Sequence, residues 1–302
     1  MVPDTLYSPA GRGKKAVGPL VWLSLAAAIG CSPPPARRGG DSPGRVIRVM
    51  TYNIQAGGGK LENVAEAIRG VAPDIVALQE VDVHWSDRSA FADQATQLSK
   101  SLGMHAHFAR IYRIPSADPA RPPREYGLAL LSKCPVLSFT NHTLTRLSTQ
   151  DANPAPAPMP GFLEASVNLR GATVRVFNTH LDYRADPAIR QQQVAEMLGI
   201  IGASPGPTLL LGDLNAQPQA PELQPLFGKL KDVWSSREDP GFTYPAALPV
   251  RRIDYILASP HFRARSVRVP VTTASDHRPV VADLIIPEPS DGRKSSCDGD
   301  GQ

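Results

Sequence analysis

Cysteine is scarce in this sequence, and the part that folds carries no net charge. Only Cys31, Cys134 and Cys297 occur among 302 residues. Three scattered thiols make no disulfide framework. No cysteine cluster accompanies the histidines, which argues against a structural zinc site. Cys134 follows Ser132-Lys133 at the end of an apolar run and reads as a half-buried structural residue, with nothing nearby to activate a thiol. The formal charge of +4 belongs to the N-terminus, because residues 1–40 hold five basic residues against one acidic. From Asp41 onward the charges cancel. Nonspecific binding to long nucleic acid rests on a basic surplus, and the domain shows none. No internal repeat of solenoid length is visible.

Proline, in contrast, is abundant, with 31 residues. It gathers at 33–43, 115–123, 154–160 and 245–260. Proline lacks the N–H that helix interiors and central strands use, so these stretches read as linker and loops.

The first forty residues read as an address. Arg12, Lys14 and Lys15 precede an apolar stretch from Ala16 to Ile29. It falls short of the ~20 residues that span a bilayer and suits the apolar region of a signal peptide. Ala28-Ile29-Gly30-Cys31 is similar to a bacterial lipobox, with Cys31 as the lipidation site; an ordinary secretory signal or an uncleaved anchor is the alternative. Residues 32–45 are rich in Pro, Gly and Arg and read as a flexible tether, and 288–302 as a disordered tail. The expected location is the bacterial cell envelope, lipid-anchored and facing outward, or else secreted. The domain then spans 46–287, long enough for one large α/β unit.

Within it, Val46–Ile54 alternates as a strand, and Leu61, Val64, Ala65 and Ile68 have helical spacing with a stop at Gly70. Ile75–Leu78 is a short buried strand. A second helix carries Ala92, Ala95, Leu98 and Leu102. Strands follow at Gly127–Ser132, and at Leu163–Leu169 and Val174–Asn178, a hairpin joined by Arg170-Gly171. A helix through Val194, Met197, Leu198 and Ile201 precedes strands at Thr208–Leu211, Ile253–Leu257, Val267–Val269 and Val280–Ile286. The mixture predicts an α/β or α+β fold with βαβ units.

Polar residues stand at the ends of these runs, Asn53, Glu80, His180, Asp213 with Asn215, and Asp276 with His277, while Asp254 is an acid embedded inside one. Strand ends are where ligands collect in open α/β sheets, and an acid buried there needs a cation or donors. Asp213 and Asn215 are two apart, so in extended chain they face the same way. Carboxylates with an amide suit a hard divalent cation such as Mg²⁺. Hydrolysis of a phosphate ester fits this set: a metal neutralises charge, an acid activates water, and a histidine stabilises phosphoryl oxygens or protonates the leaving group. Taken singly, each element has an ordinary reading as a solvated strand end, a surface histidine or an ion pair. It is their order over one domain that carries the inference.

Met50-Thr-Tyr-Asn53-Ile, Leu78-Gln-Glu80-Val, Leu130-Leu-Ser-Lys133, Asn178-Thr-His180-Leu-Asp182, Gly212-Asp213-Leu-Asn215, Arg252-Ile-Asp254-Tyr-Ile and Ser275-Asp276-His277-Arg-Pro-Val resemble, in order, the motifs of the endonuclease/exonuclease/phosphatase superfamily. The resemblance implies a four-layered α/β sandwich of two packed mixed β-sheets flanked by helices. It implies phosphoester cleavage with Mg²⁺ or Mn²⁺. Asn53, Glu80 and Asp276 then look like metal-site residues, with Glu80 the main ligand. Asp213 looks like the group that activates water, with Asn215 binding phosphate. His180 looks like a phosphate contact or proton donor, and Asp254 like the partner fixing the tautomer of His277. Which histidine is the acid stays open. The chain departs from nuclease members at Gln55, where an acid is usual. It departs from abasic-site endonucleases at Glu125, where a tyrosine is usual and Tyr126 follows. Arg88 is a candidate phosphate contact, since a guanidinium forks onto phosphate oxygens; a surface arginine at a helix start is the alternative.

The expected substrate is a small or lipid-linked phosphoester rather than long DNA, turned over by a monomer tethered at the membrane by its lipid anchor. The loop Leu144–Pro160, with little apolar bulk beyond Met159, offers no hydrophobic membrane insertion. A secreted or tethered DNase I-like nuclease is the alternative. A non-catalytic binding module is another, disfavoured because Glu80, Asp213 and His277 are all present.

Overall fold

The computed structural model describes residues 45–58, 60–202 and 205–286. The signal segment 1–31 with Cys31, the linker up to residue 44, and the tail 288–302 lie outside the described residues. The strands are β1 (Val46–Asn53), β2 (Ile75–Val83), β3 (His105–Ile114), β4 (Arg124–Ser132), β5 (Val136–Arg146) and β6 (Ala157–Leu169) in the first half. The second half adds β7 (Ala172–His180), β8 (Thr208–Asp213), β9 (Lys231–Asp232), β10 (Asp254–Ala258), β11 (Arg263–Arg268) and β12 (Val280–Ile285). The helices are α1 (Leu61–Val71), α2 (Gln94–Leu102), α3 (Ala188–Gly202) and α4 (Gln224–Lys229).

Two six-stranded mixed sheets result, ordered β11-β12-β1-β2-β4-β3 and β5-β6-β7-β8-β10-β9. Each contains one parallel pair, β1 with β2 and β7 with β8. A parallel connection requires a crossover, and α1 and α3 supply it. The predicted βαβ units are therefore present, one per sheet.

Alternate residues of the central strands enter different cores, as the period of two demands. Val49, Ile75, Val176 and Leu209 pack between the sheets. Met50, Val76 and Leu78 pack instead against Val64, Ile68 and Leu98 of α1 and α2. Phe177, Leu210 and Leu257 pack against Val194, Met197 and Leu226 of α3 and α4. Helices, sheet, sheet and helices make the four-layered α/β sandwich.

Several local expectations are corrected. α1 runs past Gly70 and ends at Ala72, whose positive φ of 52° makes the cap. β3 and β5 have no counterpart among the expected strands; each is an edge strand in which exposed, half-buried and buried residues are mixed without a long apolar run. Leu144–Pro160 is loop over 147–156, but its two ends belong to β5 and β6, and Pro158 and Pro160 sit inside β6 beside a bulge at His142/Thr143. Proline is tolerated where the ladder is already irregular. Cys134 is buried and disulfide-bonded rather than a half-buried thiol.

Candidate active site

The two parallel strand pairs end at the same rim of the sandwich. In the second sheet, register places His180 beside Asp213 and Asp213 beside Asp254, so three site residues form one row across β7, β8 and β10. Asp254 is the first residue of β10, not an acid embedded within a strand. In the first sheet Asn53 ends β1. Glu80 lies within β2, which continues to Val83; a bulge between Leu78 and Val81 and a φ of 57° turn the glutamate out of the ladder. A bulge adds a residue to one strand and re-aims its side chain. Asp276 and His277 come from the loop before β12.

Asn53 joins the sheets. Its Nδ2 donates to Glu80 Oε1 at 2.9 Å and to Asp213 Oδ2 at 3.1 Å, while its Oδ1 accepts the Gln55 N–H at 3.1 Å. Asn53 thus positions both acids, and its Oδ1, which accepts one N–H, keeps a second lone pair beside the expected metal site. Beneath it lies a second bridge, made by two motif residues for which the sequence predicted no role. Gln79 Nε2 donates to Asn178 Oδ1 at 2.7 Å, and Asn178 Nδ2 donates to the carbonyls of Leu78 and Ala129. Both amides are fully buried.

Asp213 is the hub. Its Oδ2 lies 3.5 Å from His180 Nε2 and 3.7 Å from His277 Nε2, and its Oδ1 accepts the Asn215 N–H at 2.9 Å. Burial, and then the charge of Asp254, raise its carboxyl above the ordinary value; the two histidines partly oppose this. A carboxylate whose pKa is raised holds a proton more readily than an ordinary one. Asn215 has a positive φ of 51°, and its side-chain N–H donates to the Leu181 carbonyl.

His277 Nδ1 donates to Asp254 Oδ2 at 2.9 Å, which leaves Nε2 toward Asp213. Thr243 Oγ donates to the same Asp254 oxygen at 2.5 Å. Thr243 is absent from the expected site residues, since a lone threonine in a loop gives no signal. Burial alone disfavours the imidazolium. The charge and hydrogen bond of Asp254, with Asp213 and Asp276 behind it, outweigh that and push His277 up to about 10. Ligand atoms of Asp213, Asp254 and His277 lie within 4.8 Å of one another. That closeness is the geometry of a hydrogen-bonded acid–histidine pair, and an Nδ1 donating to Asp254 has no lone pair for an ion.

The better cation site is Glu80 with Asp276. Burial raises Asp276; His277 opposes this and Glu80 adds to it. Among the described residues no Lys or Arg forms an ion pair with either acid. Two carboxylates beside the cleft, neither paired with a Lys or Arg, suit a hard divalent cation with oxygen ligands.

Arg88 is placed differently from its expectation. Its Nε and Nη2 donate to the fully buried Asp82 at 2.8 and 2.6 Å, and its guanidinium lies over Trp85 and Tyr126. It borders the cleft, but the fork assigned to substrate phosphate is occupied by Asp82. The cleft itself measures about 530 Å³, and its lining includes Glu80, His180, Asp213, Asn215, Asp276 and His277. Trp85, Tyr112, Tyr126 and Arg146 line it too, and none of these four is among the site residues expected from the sequence.

Two face-packed mixed sheets, with acids and histidines gathered where their parallel pairs end, define the DNase I-like class of α/β sandwich. The sequence profile of the Endonuclease/Exonuclease/phosphatase family matches residues 50–277, and the chain belongs to that family. Its members are hydrolases of phosphoester bonds, usually dependent on a divalent metal. The uncharacterized protein YbhP of Escherichia coli is 26% identical over 263 residues, covering 79% of this chain and 96% of that one. A crystal structure of an endonuclease/exonuclease/phosphatase from Beutenbergia cavernae superposes with a TM-score of 0.65 at 25% identity, covering 80% of this chain and 72% of that one. A mannosyl-6-phosphatase from Bacteroides thetaiotaomicron shares the fold at a TM-score of 0.56 and 17% identity, covering 80% of this chain and all of that one.

Proposed function

We propose that this protein is an extracytoplasmic phosphoesterase dependent on Mg²⁺ or Mn²⁺, hydrolysing a small or lipid-linked phosphodiester or phosphomonoester. The observation that carries this reading is the Asn53 amide, which holds Glu80 and Asp213 together at the meeting of the two sheets. Glu80 and Asp276 would hold the cation. When bound, it supplies charge neutralisation at the phosphoryl group.

Asp213 takes a proton from the attacking water, which its raised pKa favours. His277, kept cationic by Asp254, faces the charge that gathers on the phosphoryl oxygens. His180 is left for the leaving oxygen or for phosphate, and Asn215 lies beside Asp213 for phosphate contact. The neutral domain supports a small or lipid-linked substrate over long DNA. The lipobox-like Ala28–Cys31 supports a lipid anchor at Cys31.

The test is phosphate or alcohol release from bis-p-nitrophenyl phosphate, p-nitrophenyl phosphate, sphingomyelin vesicles and plasmid DNA, with Mg²⁺ and with EDTA. Metal-dependent cleavage of a small or lipid substrate is expected. Rapid plasmid nicking with no other turnover would make it a nuclease. Metabolic labelling with a fatty-acid analogue, lost in Cys31→Ala, checks the anchor.

A further inference from the structure

The lining of the cleft includes a basic and aromatic set that the machinery proposed above does not use. Within that set lies Arg146, the last residue of β5, 7% exposed. Its Nη1 donates to the His180 carbonyl at 2.9 Å and its Nη2 to the Gly161 carbonyl at 2.8 Å. Its Nε is buried and has no hydrogen-bond partner. Among the described residues, no carboxylate pairs with it. The nearest acids are otherwise engaged: Asp182 pairs with Arg184, and Glu196 accepts from the Thr145 N–H and hydroxyl. Burial lowers its pKa to about 10, only partly offset by these distant charges. It therefore stays cationic at neutral pH.

A buried cation with no counter-ion is costly, and a purely structural clamp for two carbonyls could be made without it. The surroundings are arranged around it. Gly161, at a φ of 119°, leaves room where any Cβ would collide with Ile111 and crowd Arg146 Nη2. Trp85, Tyr112 and Tyr126 pack as one aromatic group at centroid separations of 5.7 to 6.4 Å and line the same cleft. Tyr112 and Tyr126 line the cleft beside Arg146.

We propose that Arg146 and this aromatic wall form a subsite for a second anionic group on the substrate. The class of substrate is then a phosphoester with a flat or ring-shaped body and a second phosphate, rather than one with a neutral remainder. The missing counter-ion of Arg146 is that second anion. The inference rests on the phosphoesterase reading for its catalytic half, but the binding half is tested alone.

Binding is measured first, by thermal shift with inorganic pyrophosphate in EDTA. Wild type is expected to be stabilised and Arg146→Met not. Met matches the buried volume without the charge, so the fold is expected to survive. Arg146→Lys keeps the charge without the fork and is expected to bind weakly; it serves if the Met variant does not fold. Equal stabilisation of wild type and variants, or none in wild type, would reduce Arg146 to a structural clamp and overturn the proposal. Turnover is then compared for p-nitrophenyl phosphate and 1,4-phenylene bisphosphate. Wild type is expected to prefer the bisphosphate about 10-fold or more in kcat/KM, the scale of a charged hydrogen bond, with the preference lost in Arg146→Met through KM. Equal loss on both substrates would make Arg146 a contact of the scissile phosphate and overturn the second-anion subsite. Arg146-dependent pyrophosphate binding without hydrolysis of any ester would sustain the subsite and defeat the phosphoesterase reading instead.

Discussion

His277 is held between Asp254, which accepts from Nδ1, and Asp213, which faces Nε2. This has a thermodynamic consequence at the scale of one residue. Its folded-state pKa, near 10, lies above the unfolded value of 6.5. The stability contributed by this site is therefore fully present below about pH 6.5 and lost as pH rises through about 10. Urea midpoints taken from pH 6 to 10.5 are expected to fall across that window in wild type and to stay flatter in Asp254→Asn. The same variant is expected to lose activity by about 100-fold or more, because the tautomer and charge of His277 are no longer fixed. Steady-state kcat at neutral pH checks this. Thr243→Val removes one donor to the same carboxylate and is expected to cost roughly 10-fold.

Elements carry these residues only as precisely as their backbones allow. Asp213 follows Gly212, whose φ is 154° and where a Cβ would collide with the Thr179 carbonyl oxygen of β7. Gly212→Ala is expected to push β8 from β7 and lower kcat roughly 100-fold, the penalty of a displacement near 1 Å. Gly199 lies on the exposed face of α3, where an added Cβ would meet nothing within 4 Å. Gly199→Ala is expected to leave kcat unchanged and add about 0.5–1 kcal/mol of stability, read by chemical denaturation. One glycine is fixed by a close approach and the other is not; the motif marks Gly212, but only the packing shows why it must be glycine. Glu80 makes the same point. The motif Leu78-Gln-Glu80-Val marks its position, but the apolar run by itself predicts a strand that ends at Leu78. The bulge that lets β2 continue while turning Glu80 outward is set by pairing with β4, a partner distant in the chain.

At the scale of the whole molecule the sheets must meet at one register for the site to exist. The buried Asn178 spans that interface, joining β7 to Gln79, Leu78 and Ala129 of the other sheet. Asn178→Ala would leave these buried polar groups without partners, at about 1–3 kcal/mol each. A loss near 3 kcal/mol is expected in guanidinium unfolding, with activity falling further than stability alone requires as Asn53 loses its alignment with Asp213.

The sequence by itself determined the layers and the rim. Central strands buried on both faces must read as continuous apolar runs, so β1, β2, β7, β8 and β12 were legible, and polar residues interrupting such runs mark where they end. Glu80, Asp213, Asp254 and His277 were found that way, together with the motif resemblance. Tertiary structure alone decided what depends on partners distant in the chain. The edge strands β3 and β5 have no long apolar run to show a pattern. Arg88 was legible as a guanidinium, but only packing gave it to Asp82. Arg146 had no signal, because a buried cation is recognised by the counter-charge it lacks, and that is a property of its surroundings.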